Sequence, residues 1–287
     1  MKLANKNAIV TGASQGLGKE IARHYLRAGA SVAICARDGA MLRETARELE
    51  AEAQPGRRVF AETCDVSSEQ AVTEFCAAAN EELGDIHILV ANAGIYGPMG
   101  PTEMVPFDEW ARAVSINLHG VLLPCRAVIP RFKARGSGKI VVISGGGATN
   151  PMPNISAYAA SKAAVVRLVE CLALELEPFG VQVNAIAPGA LKTRMMEEVL
   201  AAGPEKVGVK FFAQNEKWAE EGATSLDLGA SLAVHLGSEE SGKVTGRLLS
   251  ARWDPWQTLA ERESELAASD IYCLRRIVPE DRGKKWD

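Results

Sequence analysis

The chain has 287 residues, 47% of them hydrophobic and 24% charged, with a formal net charge of −4. That make-up belongs to a folded chain with a sizeable core and argues against disorder. It offers no basic stripe for a nucleic acid or an anionic membrane, so neither is expected as a partner.

The six cysteines lack C-x-x-C spacing and the four histidines are scattered. Buried structural thiols and no metal site are the expectation. Neither a leader-like N-terminus nor an apolar run approaching ~20 residues is evident, which points to a cytoplasmic protein.

In chain order, a strand over 8–11 breaks at Gly12 and a helix over 16–28 ends at Gly29. A second strand, 31–36, precedes a charged amphipathic helix, 41–53, closed by Pro55-Gly56. A third strand, 58–64, leads to a helix that Ser67 or Ser68 can cap and Gly84 ends. A fourth strand, 86–91, is followed by one long helix, 107–134, bent at Pro124 and Pro130. Then come a fifth strand at 139–143, a helix at 156–178 and a sixth strand at 181–187. Helical segments at 193–221 and 226–236 precede a last short strand at 248–250. Strands this apolar are buried on both faces, and their alternation with helices predicts an α/β fold, a single doubly wound domain with a parallel sheet of about seven strands.

Thr11-Gly12-Ala13-Ser14-Gln15-Gly16-Leu17-Gly18 joins the first strand to the first helix. Gly12, Gly16 and Gly18 allow a tight bend and close approach of backbone N–H groups to a pyrophosphate, and the helix aims its positive end there. Ser14, Gln15 and Leu17 share the turn and are expected to touch the same cofactor. The second strand ends at Ile34-Cys35-Ala36-Arg37-Asp38. Ala36 replaces the carboxylate that would bond the adenosine ribose, and Arg37 can pair with a 2′-phosphate. This favours NADP; NAD stays open if Asp38 reaches the ribose. Asp65-Val66 is placed to receive the adenine amino group or to cap a helix. Asn92-Ala93-Gly94 ends the fourth strand, at the carboxyl edge where such sheets bind ligands.

Tyr158 and Lys162 are i and i+4 on a predicted helix and can point into one cleft. A phenol titrates near pH ~10. A neighbouring ammonium is expected to lower that value and fit Tyr158 for acid–base work, with Lys162 also bonding the nicotinamide ribose. The plain alternative is a packed tyrosine beside a solvated lysine.

From about 6 to 250, these motifs together with Asn117, Pro188-Gly189, Thr193 and Val244-Thr245-Gly246 stand in an order that resembles the short-chain dehydrogenase/reductase family. The resemblance implies a Rossmann-type fold, an NAD(P) cofactor and carbonyl–alcohol interconversion by hydride transfer on a small molecule. It also implies a homodimer or homotetramer, with the helix over 156–178 as interface. By the same resemblance Asn117 holds a water in a proton relay, and Pro188, Gly189, Leu191 and Thr193 contact the nicotinamide end. The family's substrate-orienting serine most often lies 13 residues before the tyrosine, where this chain has Gly145. A glycine-rich loop longer by one residue would bring Ser144 into that place, and Ser144 is the expected group. Otherwise Thr149 or Ser156 serves, or the hydroxyl is lost.

The domain is expected over 1–250, its substrate region at about 191–224, and an atypical extension over 251–287 wrapping it or a neighbouring subunit. Alternatives on the same fold are a non-catalytic NAD(P)-binding sensor or scaffold, and a sugar-nucleotide epimerase or dehydratase. Phe211, Phe212 and Trp218 either line a pocket or pack as core. The tail residues Trp253, Trp256 and Trp286 are candidates to stack on a sugar or an aromatic ring.

Overall fold

The computed structural model describes residues 1–286. Seven strands form one sheet: Asn7–Thr11 (β1), Ser31–Ala36 (β2), Val59–Thr63 (β3), Ile88–Ala91 (β4), Gly138–Ile143 (β5), Val181–Ala187 (β6) and Leu248–Ser250 (β7). All pairings are parallel, in the order β3-β2-β1-β4-β5-β6-β7. The central strands β2, β4 and β5 are buried along their whole length, as a sheet covered on both faces requires. The strand order reverses between β1 and β4, which opens a crevice at their carboxyl ends.

The helices are Gly16–Arg27 (α1), Gly39–Glu52 (α2), Glu69–Leu83 (α3), Phe107–Val114 (α4), Gly120–Arg135 (α5), Ser156–Leu176 (α6), Arg194–Ala202 (α7), Pro204–Val207 (α8), Val209–Glu221 (α9), Leu226–Gly237 (α10) and Glu263–Ala267 (α11). Ile21, Tyr25 and Leu26 of α1, Leu42 and Leu49 of α2, and Leu232 and Leu236 of α10 fill the core on one face. Phe75 of α3, Val128 and Phe132 of α5, and Val165 and Val169 of α6 fill the other.

Two departures from the predicted elements bear on the site. The expected single helix over 107–134 is α4 and α5 joined through a π-helical turn, Ser115–His119, which carries Asn117. The expected helical run over 193–221 is three helices. Gly203 (φ +79°) and Gly208 (φ +87°) take left-handed backbone angles and break it. The stretch 107–135 also corrects the reading that no segment is long and apolar enough to cross a bilayer, since by length and composition it is. Here it lies on the sheet, with Ala113, Val121, Cys125 and Phe132 buried.

The segment after β7 packs back on its own chain; Asp287 lies outside the described residues. Leu248 of β7 donates its N–H to the carbonyl of Tyr272 (2.9 Å), so the tail runs beside this edge of the sheet. Arg247, only 8% exposed, donates to the carbonyls of Leu266, Ser269 and Ile271. Trp256 and Leu259 enter the core.

Candidate active site

The turn after β1 is held open by its own chemistry. Gly12 adopts φ +65°, and a Cβ there would lie 2.7 Å from the Cα of Ala93. Asn92, at the end of β4, locks the same turn. Its side-chain amide donates to the carbonyls of Thr11 (2.9 Å) and Gly12 (3.0 Å), and its backbone N–H donates to Thr11 Oγ1 (3.0 Å). β1 and β4 are thereby tied at the switch point of the sheet. Gly16, Leu17 and Gly18 then begin α1, whose N-terminus faces the crevice.

That crevice is one cleft of about 1000 Å³. Its lining takes in Gly12, Ser14, Gln15, Gly16, Leu17 and Gly18 at one end and Tyr158, Lys162, Pro188, Gly189, Leu191 and Thr193 at the other. Arg37, Asp65, Val66, Asn92, Ala93, Gly94 and Ser144 complete the expected set along it. Asn117 lies behind the wall, fully buried. A long cleft with a glycine-rich turn at a helix N-terminus fits a dinucleotide.

At the adenine end, Asp38 is committed. Its Oδ1 accepts from the N–H groups of Ala40 and Met41, both at 3.0 Å, and caps α2. Arg37 is exposed and forms no ion pair among the described residues. Asp65 accepts from the N–H (2.9 Å) and hydroxyl (2.6 Å) of Ser67. Partial burial opposes its ionisation, but those bonds and the charges of Arg37 and Arg112 outweigh it, so its carboxyl stays below the ordinary range.

At the other end, α6 places Tyr158 and Lys162 on one face, both buried. The Lys162 ammonium donates to the carbonyl of Ile143 (2.8 Å) and lies 5.7 Å from the centre of the Tyr158 ring. Burial lowers its pKa to about 8. The expected acidification of Tyr158 is not what this structure holds. Burial drives the phenol upward, with Tyr96 adding to it, because desolvation outweighs a lysine that is itself desolvated and turned to Ile143.

Asn117 is held by three side-chain hydrogen bonds. Its Oδ1 accepts from the N–H of Ile95 (2.9 Å), and its Nδ2 donates to the carbonyl of Ile95 and to Ser161 Oγ, each at 2.9 Å. The side chain fastens the loop after β4 to α6.

The substrate-orienting position resolves against Ser144. Along extended backbone, successive side chains point to opposite sides. Ser144 turns its hydroxyl to the backbone carbonyl of Lys162 (3.2 Å), and the side facing the Tyr158 hydroxyl belongs to Gly145. Ser156 is engaged elsewhere, accepting from Thr102 Oγ1 and Trp110 Nε1, both at 3.1 Å.

Beside Tyr158 the cleft has lining residues that sequence reasoning did not single out by name. Tyr96, Met195, Met196 and Asn215 line the cleft together with Trp218. Asn215 is 2% exposed and donates to the carbonyl of Phe211 (2.8 Å). Phe211 meets Tyr96 edge-on at 6.4 Å. Of the tail tryptophans, Trp256 is packed against His235, while Trp253 and Trp286 are exposed and do not line the cleft.

A doubly wound sheet with a glycine turn at one end of its cleft and a tyrosine–lysine pair at the other defines a nucleotide-dependent oxidoreductase. The short chain dehydrogenase family profile matches residues 6–203. The 7alpha-hydroxysteroid dehydrogenase of Escherichia coli (strain K12) is 36% identical over 200 residues, 70% of this chain and 76% of that protein. The crystal structure of NAD+-bound xylitol dehydrogenase superposes with a TM-score of 0.79 at 27% identity, covering 87% of this chain and 98% of that one. The gluconate 5-dehydrogenase of Burkholderia cenocepacia J2315, in complex with NADP and tartrate, gives 0.76 at 28% identity, over 87% and 94%. The chain belongs to the short-chain dehydrogenase/reductase family, and it is an oxidoreductase acting on hydroxyl and carbonyl groups with NAD(P).

Proposed function

We propose that the enzyme interconverts a ketone and a secondary alcohol with NADP(H) preferred over NAD(H), and that Tyr158 moves the proton. The observation that carries this reading is the shared cleft, with Tyr158 and Lys162 at one end and an uncommitted Arg37 at the other. Arg37 can pair with a 2′-phosphate, while Asp38, held by α2, is poorly placed to serve a ribose diol.

When bound, the nicotinamide cofactor supplies or accepts the hydride. The protein does the rest. Gly12 to Gly18 and the N-terminus of α1 receive the pyrophosphate, with Ser14 and Gln15 beside it. Asp65 and Val66 flank the adenine, and Pro188, Gly189, Leu191 and Thr193 hold the nicotinamide end. Tyr158 Oη gives its proton to the forming alkoxide or takes one from the alcohol. Lys162 places a positive charge one turn away and can exchange Ile143 for a ribose hydroxyl. Asn117 keeps the loop carrying Ile95 and Tyr96 at a fixed distance from α6.

The wall of Tyr96, Met195, Met196 and Trp218 is largely apolar. It favours an alcohol carried on an apolar ring frame, as the name of the hydroxysteroid relative indicates for that protein, over an open polyol. We place the enzyme in the cytoplasm as a homodimer or homotetramer, with the exposed Leu174 on α6 in the interface.

Titration with NADPH and NADH, followed by turnover of cyclic and linear ketones by wild type and Tyr158→Phe, tests the reading. Tighter NADPH binding and a loss of at least about 100-fold in the variant are expected. Full turnover in Tyr158→Phe would refute the assignment.

A further inference from the structure

The hydroxyl of Tyr158 has an unusual neighbour. A Cβ built on Gly145 would collide with it, and one on Gly147 would lie 3.3 Å from Tyr158 Cδ1. The phenol is therefore seated against glycine backbone, in the space where a hydroxyl-bearing side chain would reach a substrate oxygen. Ser144, one residue earlier, gives its hydroxyl to the carbonyl of Lys162.

A second hydroxyl stands beside Tyr158. Tyr96 follows Asn92-Ala93-Gly94 on the loop that Asn117 pins at Ile95. Its ring stands edge-on to Tyr158, centroids 4.8 Å apart at 65°, and edge-on to Phe211, centroids 6.4 Å apart. Both rings line the cleft, and the Tyr96 hydroxyl has no protein partner among the described residues. With its ring packed on two aromatic neighbours and its loop pinned, Tyr96 offers a preorganised donor of the kind that catalysis uses at a developing oxyanion. Burial raises its pKa to about 12, so it keeps its proton at neutral pH.

We propose that Tyr96 is a catalytic residue that holds the substrate oxygen beside Tyr158, supplying from the loop after β4 the hydrogen bond that Gly145 cannot give. Tyr96 transfers nothing. It donates a hydrogen bond and retains its proton while Tyr158 delivers one to the oxygen. The proposal rests on the acid–base role of Tyr158 stated above.

The test compares Tyr96→Phe, Ser144→Ala and Tyr158→Phe, using NADPH and the ketone that wild type reduces fastest. Tyr96→Phe keeps both ring contacts, so its melting temperature and NADPH affinity should match wild type. Its kcat/KM for the ketone should fall about 100-fold, with most of the loss in kcat, while Ser144→Ala falls by less than about tenfold. A Tyr96→Phe enzyme within about threefold of wild type, with Tyr158→Phe inactive, overturns this proposal alone. A large loss in Ser144→Ala with none in Tyr96→Phe also overturns it and returns the role to the serine. Full activity in Tyr158→Phe overturns both readings.

Discussion

The carbonyl oxygen of Ile143, the last residue of β5, accepts a hydrogen bond from the Lys162 ammonium at 2.8 Å. It is the only hydrogen-bond partner of that buried cation among the described residues, and no carboxylate answers its charge. A lysine held at a pKa of about 8 costs folding energy at pH 7, because the unfolded chain keeps the proton up to a pKa near 10.4.

Lys162→Met should therefore stabilise the protein while abolishing turnover. At pH 7 the expected gain is about 1–3 kcal/mol, reduced by the loss of the Ile143 contact. The sign fixes the pH window. Between about 8 and the unfolded value the unfolded chain binds more protons, so wild-type stability rises with pH and the advantage of the variant shrinks. Urea denaturation of both proteins at pH 7 and pH 10 measures it. A variant less stable than wild type at pH 7 would show that the ammonium is structurally required.

Arg37 and Asp38 are adjacent, but only Asp38 is committed to the fold. Arg37→Ala should weaken NADPH binding about 10–100-fold, the worth of one or two charge-assisted bonds to a phosphate, and change NADH binding by less than about twofold. Fluorescence titration with each nucleotide reads this directly. An equal loss for both would place Arg37 on the shared part of the cofactor.

The parts of the site that were legible in the sequence are those whose chemistry is local. The glycines of Thr11–Gly18 must take positive φ or approach a neighbouring backbone, and Tyr158 and Lys162 share a helix face because they are four apart. The parts that were not legible depend on packing between distant segments. Tyr96 and Asn215 lie over a hundred residues apart, and only the folded loops bring them to one wall. Ser144 and Gly145 differ by one position, and which of them faces Tyr158 follows from the alternation of the backbone beyond β5. The burial that raises Tyr158 against its lysine neighbour is likewise a property of the assembled cleft.

Gly12 is required twice over, by φ +65° and by the Cα of Ala93 at 2.7 Å from where a Cβ would stand. Gly12→Ala should lower stability by about 1–3 kcal/mol through left-handed strain and the forced shift of the Asn92 lock. Cofactor affinity should drop further than Arg37→Ala drops it, and equally for both nucleotides. Thermal melts with and without NADPH separate the two effects. A variant that melts like wild type but has lost cofactor binding would locate the damage in the turn alone.

Arg247 makes the tail part of the fold. Its guanidinium reaches three backbone carbonyls of the 251–286 segment and lies beside Cys273 Sγ at 2.7 Å. The Leu266 carbonyl is buried and those of Ser269 and Ile271 are partly so, so removing the donor leaves the first unsatisfied as well as undoing the anchor. Arg247→Met should cost about 2–4 kcal/mol. It should also free the tail from its place beside Leu248, since Tyr272, which accepts from that strand, follows Ile271 directly. Limited proteolysis followed by mass spectrometry is the measurement. Early cleavage between Ala251 and Trp286 in the variant, with the 1–250 region persisting longer, is the expected pattern. Uniform digestion at the wild-type rate would mean that Trp256 and Leu259, seated in the core, hold the segment without the arginine.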